Sequence, residues 1–174
     1  MSWTPEQLTR HPKFGALVGI QKKEPKPVRE IPAVAEEGSA MFSFACPGEP
    51  MGKPRQTQRD RWQKRPVVVR YREYCDRLRA AAAETGQLPP CESVYAVWTV
   101  ADIPMPDSWS QKKKDAMCHQ ICRSKPDWDN IGKAVCDALF KEDSGIADGR
   151  VQKFWCRAGQ EMTTVHVLYF CGSQ

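Results

Sequence analysis

Apolar positions recur with helical spacing in two segments. From about Val69, Tyr71, Tyr74, Cys75, Leu78 and Ala82 follow the i, i+3, i+4, i+7 stripe of a helix with one buried face, ended by Gly86. Ile131, Ala134, Val135, Ala138 and Leu139 make a second stripe, with Lys133 and Asp137 on the opposite, polar side. Runs rich in β-branched and aromatic residues predict strands at "MFSFAC" (41–46) and "SVYAVWTV" (93–100). "RVQKFWCR" and "TTVHVLYF", on either side of "AGQEM", alternate as two antiparallel strands would. Ser108 is placed to cap a lysine-studded helix that follows it. "PGEPMGKPR" (47–55), with its Gly and Pro residues, predicts a loop.

The order of these elements lacks the regular βαβα alternation of a doubly wound sheet. It predicts an α+β fold, one mixed domain over residues 41–174 with a small, mainly antiparallel sheet packed on helices. Residues 1–40 differ. "TPEQLTR" predicts one short helix with Thr4 as cap and Pro5 at its first position, and "QKKEPKPVREIPAVAEEGS" reads as a linker or poorly ordered tail.

At 174 residues the chain has room for one domain with a core plus an appendage. No apolar run approaches bilayer length and "MSWTPEQLTR" has no apolar export core, so a soluble, cytoplasmic protein without membrane contact is expected. In a reducing compartment the eight cysteines are expected as free thiols. Cys118, His119 and Cys122 in "CHQIC" are the one close cluster, and a zinc-stabilised interaction module is the alternative they raise; a closed zinc site takes four ligands and no second close pair exists.

Charge narrows the partner. The net charge is +5, and residues 52–82 carry ten basic against three acidic side chains, more than the whole excess. A polyanion is the partner such a segment suits. Lys53, Arg55, Arg59 and Arg61 lie in or just after the Gly/Pro loop, where like charges repel unless phosphate neutralises them. Lys112, Lys113 and Lys114 read equally well as a solvated helix face. There is no Walker loop and no G-x-S-x-G elbow, and the three histidines form no convincing triad.

Two carboxylates stand one residue apart in "KPDWDNIGKAVCDAL". Pro126 disfavours helix at Lys125, so the start of the motif is expected to be extended, with Asp127 and Asp129 projecting to one side. Asp129 or Asn130 is then available to cap the helix that follows. On spacing alone the pair is read as a cap and a solvated neighbour, with Lys133 and Asp137 as an i, i+4 ion pair. The second reading is a site for a hard divalent cation, which relieves the repulsion and gives a basic, nucleic-acid-sized surface its chemistry. Trp128, between the two, is assigned to core or dimer packing, with base stacking as the alternative.

The stretch "KPDWDNIGKAVCDAL" followed by "IADGRV" resembles the signature of the RusA family of Holliday-junction resolvases, and "PGEPMGKPR" is similar to that family's Gly-x-Pro-x-Gly-Lys loop. The resemblance covers roughly residues 41–171. It implies a RusA-like fold and a homodimeric, Mg2+-dependent endodeoxyribonuclease, with Mn2+ as a possible substitute, that makes paired nicks in four-way junction DNA during recombination and repair. It also implies a phage or prophage origin. Carried over by position, Asp127, Asp129 and Asp148 match the metal carboxylates and Lys133 the catalytic lysine. Lys53, Arg55, Arg59, Arg61, Lys125 and Asn130 are the DNA contacts expected with it. Ala147 stands where relatives often have the first of two aspartates, which bears on metal affinity and rate. The alternative is a catalytically impaired junction-binding protein on the same fold.

Overall fold

The computed structural model describes residues 38–55, 57–63 and 65–171, together with all but the side chains of Arg59 and Arg61 in that range. The helix expected near residue 4, and the linker as far as residue 37, lie outside the described residues.

Among the described residues three α-helices and a four-stranded mixed sheet form one α+β domain. Strand β1 (Ser39–Pro47) leads through the Gly/Pro loop to α1 (Pro66–Thr85). Strand β2 (Val94–Pro104) is followed by α2 (Gln111–Met117) and α3 (Trp128–Leu139), and then by β3 (Asp148–Cys156) and β4 (Met162–Phe170). Helix α1 starts at Pro66 rather than near Val69, because proline is pre-set for the first helical position, where its missing N–H is not needed. All five residues of its expected stripe are buried. The cap of α2 is Ser110, not Ser108: its hydroxyl accepts from the Lys113 N–H at 3.4 Å. Both serines carry the same capping chemistry, so only the chain path separates them.

The strand order is β1-β4-β2-β3. Strands β3 and β4 run antiparallel to each other but are not neighbours, because β2 lies between them. It pairs antiparallel with β4, Thr99 opposite Val165, and parallel with β3, Thr99 opposite Val151. A parallel neighbour needs a long crossover, and residues 105–147 supply it, with α2 and α3 inside. The two antiparallel strands expected on either side of "AGQEM" are present, joined by a connection that crosses β2. Two of the three pairings are antiparallel, as expected.

Helices α1 and α3 cover one face of the sheet. Phe44, Tyr74, Leu78, Val97, Val135, Val165 and Val167 share the main core, and Ile131 packs with Ile103, Met105 and Trp155 in a second cluster. Burying side chains of this size contributes about 1.5–3 kcal/mol each. That anchorage holds the N-terminus of α3 at the sheet edge formed by β3, where Gly132 meets Val151.

A carboxylate pair, a tethered basic loop and a second acidic group

Helix α3 begins at Trp128, and Asp127 takes the extended cap position at φ −67°, ψ 143°. Proline restricts only the residue before it, so the chain is free to turn into helix directly after Asp127. This corrects two expectations. The cap position belongs to Asp127, not Asp129 or Asn130, and the two aspartates do not alternate along a strand. Asp129 lies in the first helical turn, where unpaired N–H groups and the helix dipole favour negative charge. The Asp127 side chain makes no capping hydrogen bond, so its oxygens are not committed to the helix end.

Lys133, one turn on, donates from Nζ to Asp129 Oδ2 at 3.0 Å, and this bond holds the Asp129 carboxyl below its ordinary range. The expected Lys133 pair with Asp137 does not form. Asp137 lies at the margin of the buried stripe and turns towards α1, where it accepts from the buried Tyr71 hydroxyl at 2.9 Å and pairs with Lys53 Nζ at 2.7 Å. Burial, then the bond to Asp137, pushes the Tyr71 phenol well above its usual range. Trp128 is 60 % exposed, so of the roles expected for it core packing is excluded. As the first helical residue it falls outside the stripe that Ile131 and Val135 bury.

The Gly/Pro loop is docked on this helix end. The Lys53 N–H donates to the Asn130 carbonyl at 2.8 Å, and the Gly48 N–H to the Glu161 carbonyl at 2.9 Å. Gly52 passes so near α3 that a Cβ there would lie 3.1 Å from the Cβ atoms of both Asn130 and Pro126. Farther along, the buried Asp60 carboxylate ties the segment: it accepts from the Thr57 N–H at 2.6 Å and pairs with both Arg65 Nε and Arg65 Nη2, while Arg65 also donates to the Arg55 carbonyl at 3.0 Å. Arg65 is thus consumed internally, and Arg55 and Lys125 are exposed. The side chains of Arg59 and Arg61 lie outside the described residues. A cleft of about 790 Å3, lined in part by Met51, Gly52, Arg70, Arg77 and Pro126, runs between the loop and α1.

Lys153 was not anticipated. From β3 its Nζ donates to the carbonyls of Ser124 at 2.6 Å and Pro126 at 2.8 Å, bracing the turn that presents Asp127. Nothing local in the sequence links residues so far apart. Of the lysine run, Lys113 lies over the Trp109 ring at 3.9 Å, and Lys112 is exposed.

Asp148 opens β3 on the other side of the sheet. Along that strand Val151 meets Gly132 and Lys153 reaches Pro126, so alternation sends Asp148 and Arg150 to the face away from α3. There Asp148 accepts from Arg150 Nη2 at 2.8 Å and from Trp98 Nε1 at 3.2 Å, with the Arg150 guanidinium 4.3 Å above the Trp98 ring. The Arg150 bonds, aided by Trp98, lower the Asp148 pKa. The Asp148 and Arg150 pairing was legible from their i, i+2 spacing in a strand, although neither Arg150 nor Trp98 was singled out. Among the described residues no three His, Cys, Asp or Glu side chains gather to hold a metal ion. Asp127 and Asp129 come together in sequence and at one helix end, and Asp148 does not join them within one chain.

An α+β domain that presents adjacent carboxylates and a tethered basic loop at one helix end carries the groups suited to a phosphodiester backbone. The family model for endodeoxyribonuclease RusA matches residues 47–167, and the chain belongs to that family. No curated protein matches the chain. The protein is an endodeoxyribonuclease, a hydrolase, of the Holliday-junction resolvase type. Among the described residues no helix is long and apolar enough to cross a membrane.

Proposed function

We propose that the protein resolves four-way DNA junctions by paired, Mg2+-dependent nicks, with the N-terminus of α3 as the cutting centre. The observation that carries the reading is the meeting there of Asp127, Asp129, Lys133 and the loop bearing Lys53 and Arg55.

The donor set fits magnesium. The ion commonly takes one or two carboxylates from a chain and fills its octahedron with water and phosphate oxygens, so Asp127 and Asp129 are the anchors this chain's α3 supplies. When bound, it supplies positive charge to the phosphoryl oxygens and acidifies water at neutral pH. Lys133 is held beside the pair by Asp129 and faces solvent, so an arriving phosphate meets an oriented cation. The exposed Arg55 receives the backbone beside the cut, and Lys53 does so by exchanging its Asp137 partner for phosphate, with Asn130 fixing the loop through its carbonyl. Lys125 and Asn130 border the same strand path. The cleft containing Arg70 and Arg77 continues this surface.

Four-way junctions present two symmetry-related strands, which a two-fold homodimer meets with one centre each. Asp148, on the opposite sheet face of its own chain, is then a ligand offered to the centre of a second copy. The test uses an end-labelled synthetic junction with and without magnesium, with Asp127→Asn and Asp148→Asn each alone and then co-assembled. Each variant alone is expected to be inactive, and the mixed dimer to recover nicking at one centre, since one centre then keeps both wild-type residues. Recovery of nothing would overturn the shared centre. Tight junction binding without cleavage by the wild-type protein in any divalent metal would leave a structure-selective binder instead.

A further inference from the structure

Among the described residues Trp128 has no structural partner. The residue is 60 % exposed, and among the described residues its indole makes no aromatic pair, no cation contact and no hydrogen bond. Leaving so large an apolar surface in water forgoes the burial that stabilises tryptophan elsewhere. Yet it is covalently fixed between Asp127 and Asp129, consecutive Cα atoms being about 3.8 Å apart. Its start-of-helix position is braced from below by Lys153 on the Pro126 carbonyl and from the side by the loop on Asn130. The ring is therefore carried on a rigid mount, with cations at Lys125 and Lys133 close to it in the chain.

Resting on the reading of Asp127 and Asp129 as the cutting centre, we propose that Trp128 stacks on a nucleobase at the branch point and thereby selects junctions over duplex. A phosphate brought to the two aspartates brings its own base to the residue between them. In a continuous duplex both faces of every base are already stacked, and an aromatic plane gains nothing without first separating them. At a branch point the stack is interrupted and a base face is open, so the same plane gains contact at little cost. The selectivity arises because the cost of unstacking has been met by the junction itself. A second copy of the chain is the other occupant a bare tryptophan could have; DNA is favoured because the flanking residues belong to the site that DNA must reach.

The experiment measures affinity for a junction and for a linear duplex of the same arms, in calcium or without metal, for the wild type, Trp128→Phe and Trp128→Leu. A junction with 5-iododeoxyuridine at the branch point serves as a photocrosslinking probe. The expected result is that Trp128→Leu loses junction affinity by on the order of 10- to 100-fold, the range for one base stack, with duplex affinity nearly unchanged. Trp128→Phe retains most of the preference, and crosslinking persists in it but vanishes in Trp128→Leu. An unchanged junction-to-duplex ratio and undiminished crosslinking in Trp128→Leu would overturn the stacking role while leaving the cutting centre standing. Equal losses on both DNAs, or a dimer weakened in Trp128→Leu, would also overturn it and assign the ring to general contact or to self-association. If the wild type has no preference for junctions, both the inference and the reading beneath it fail.

Discussion

Gly52→Ala probes how tightly the loop must lie on α3. The added Cβ would sit 3.1 Å from Asn130 Cβ and from Pro126 Cβ, and neither obstacle is a flexible side-chain end. Carbon contacts settle at about 3.5–4.0 Å, so the loop or the helix end must retreat by a few tenths of an ångström. The retreat lengthens the 2.8 Å bond from the Lys53 N–H to the Asn130 carbonyl. Overpacking costs about 1–3 kcal/mol and the weakened bond about 1 kcal/mol, partly the same event, so a net loss of about 1–3 kcal/mol is expected. For a chain of this length that lowers Tm by roughly 2–10 °C. Urea and thermal unfolding give the stability, and junction cleavage well below Tm gives the activity. Cleavage is expected to fall although nearly all molecules remain folded, because Lys53 and Arg55 move with the loop. A change under about 0.5 kcal/mol, the range of a neutral surface substitution, with full cleavage would refute the argument that this contact sets the loop.

Two further outcomes test the framework around the site. Arg65, assisted by the Thr57 N–H, holds the Asp60 carboxyl at about 2, below the value of about 3.9 for an unfolded chain, so its stabilising contribution is full above about pH 4 and fades as pH falls towards about 2. Asp60→Asn should flatten the fall of urea midpoints over that window, and parallel slopes for the two proteins would remove Asp60 from the acid response. A double-mutant cycle on Lys53→Ala and Asp137→Ala is expected to yield coupling of about 0.2–1 kcal/mol, the range for partly exposed ion pairs, and zero coupling would make the 2.7 Å contact energetically idle.

Much of the site was legible in order and spacing. The helix stripes, the strands, the Gly/Pro loop and the motif from Lys125 to Leu139 depend on local periodicity and local backbone restrictions, which the chain carries in consecutive residues. The family signature is of the same kind, since its elements agree in sequence order. The difference at Asp129 is also local: Asp127 is extended as expected, but the restriction from Pro126 does not reach beyond it and helix begins at Trp128.

Tertiary packing decided the rest. Alternation says which strand residues share a face but carries no label for the neighbouring strand, so β2 could enter between β3 and β4 without any sign in either sequence. The packing of α3 on the face that carries Val151 and Lys153 leaves Asp148 on the sheet face opposite α3. The partners of Lys53, Asp137 and Lys153 are likewise distant in the chain, and opposite charges offer many equivalent pairings until the core fixes which are adjacent. The sequence by itself determined the residue types and local geometry of a phosphodiester-cutting motif. Only the packing of α1 and α3 on the sheet decided which cations hold it, which carboxylate stands apart, and that Trp128 is left facing solvent between two aspartates.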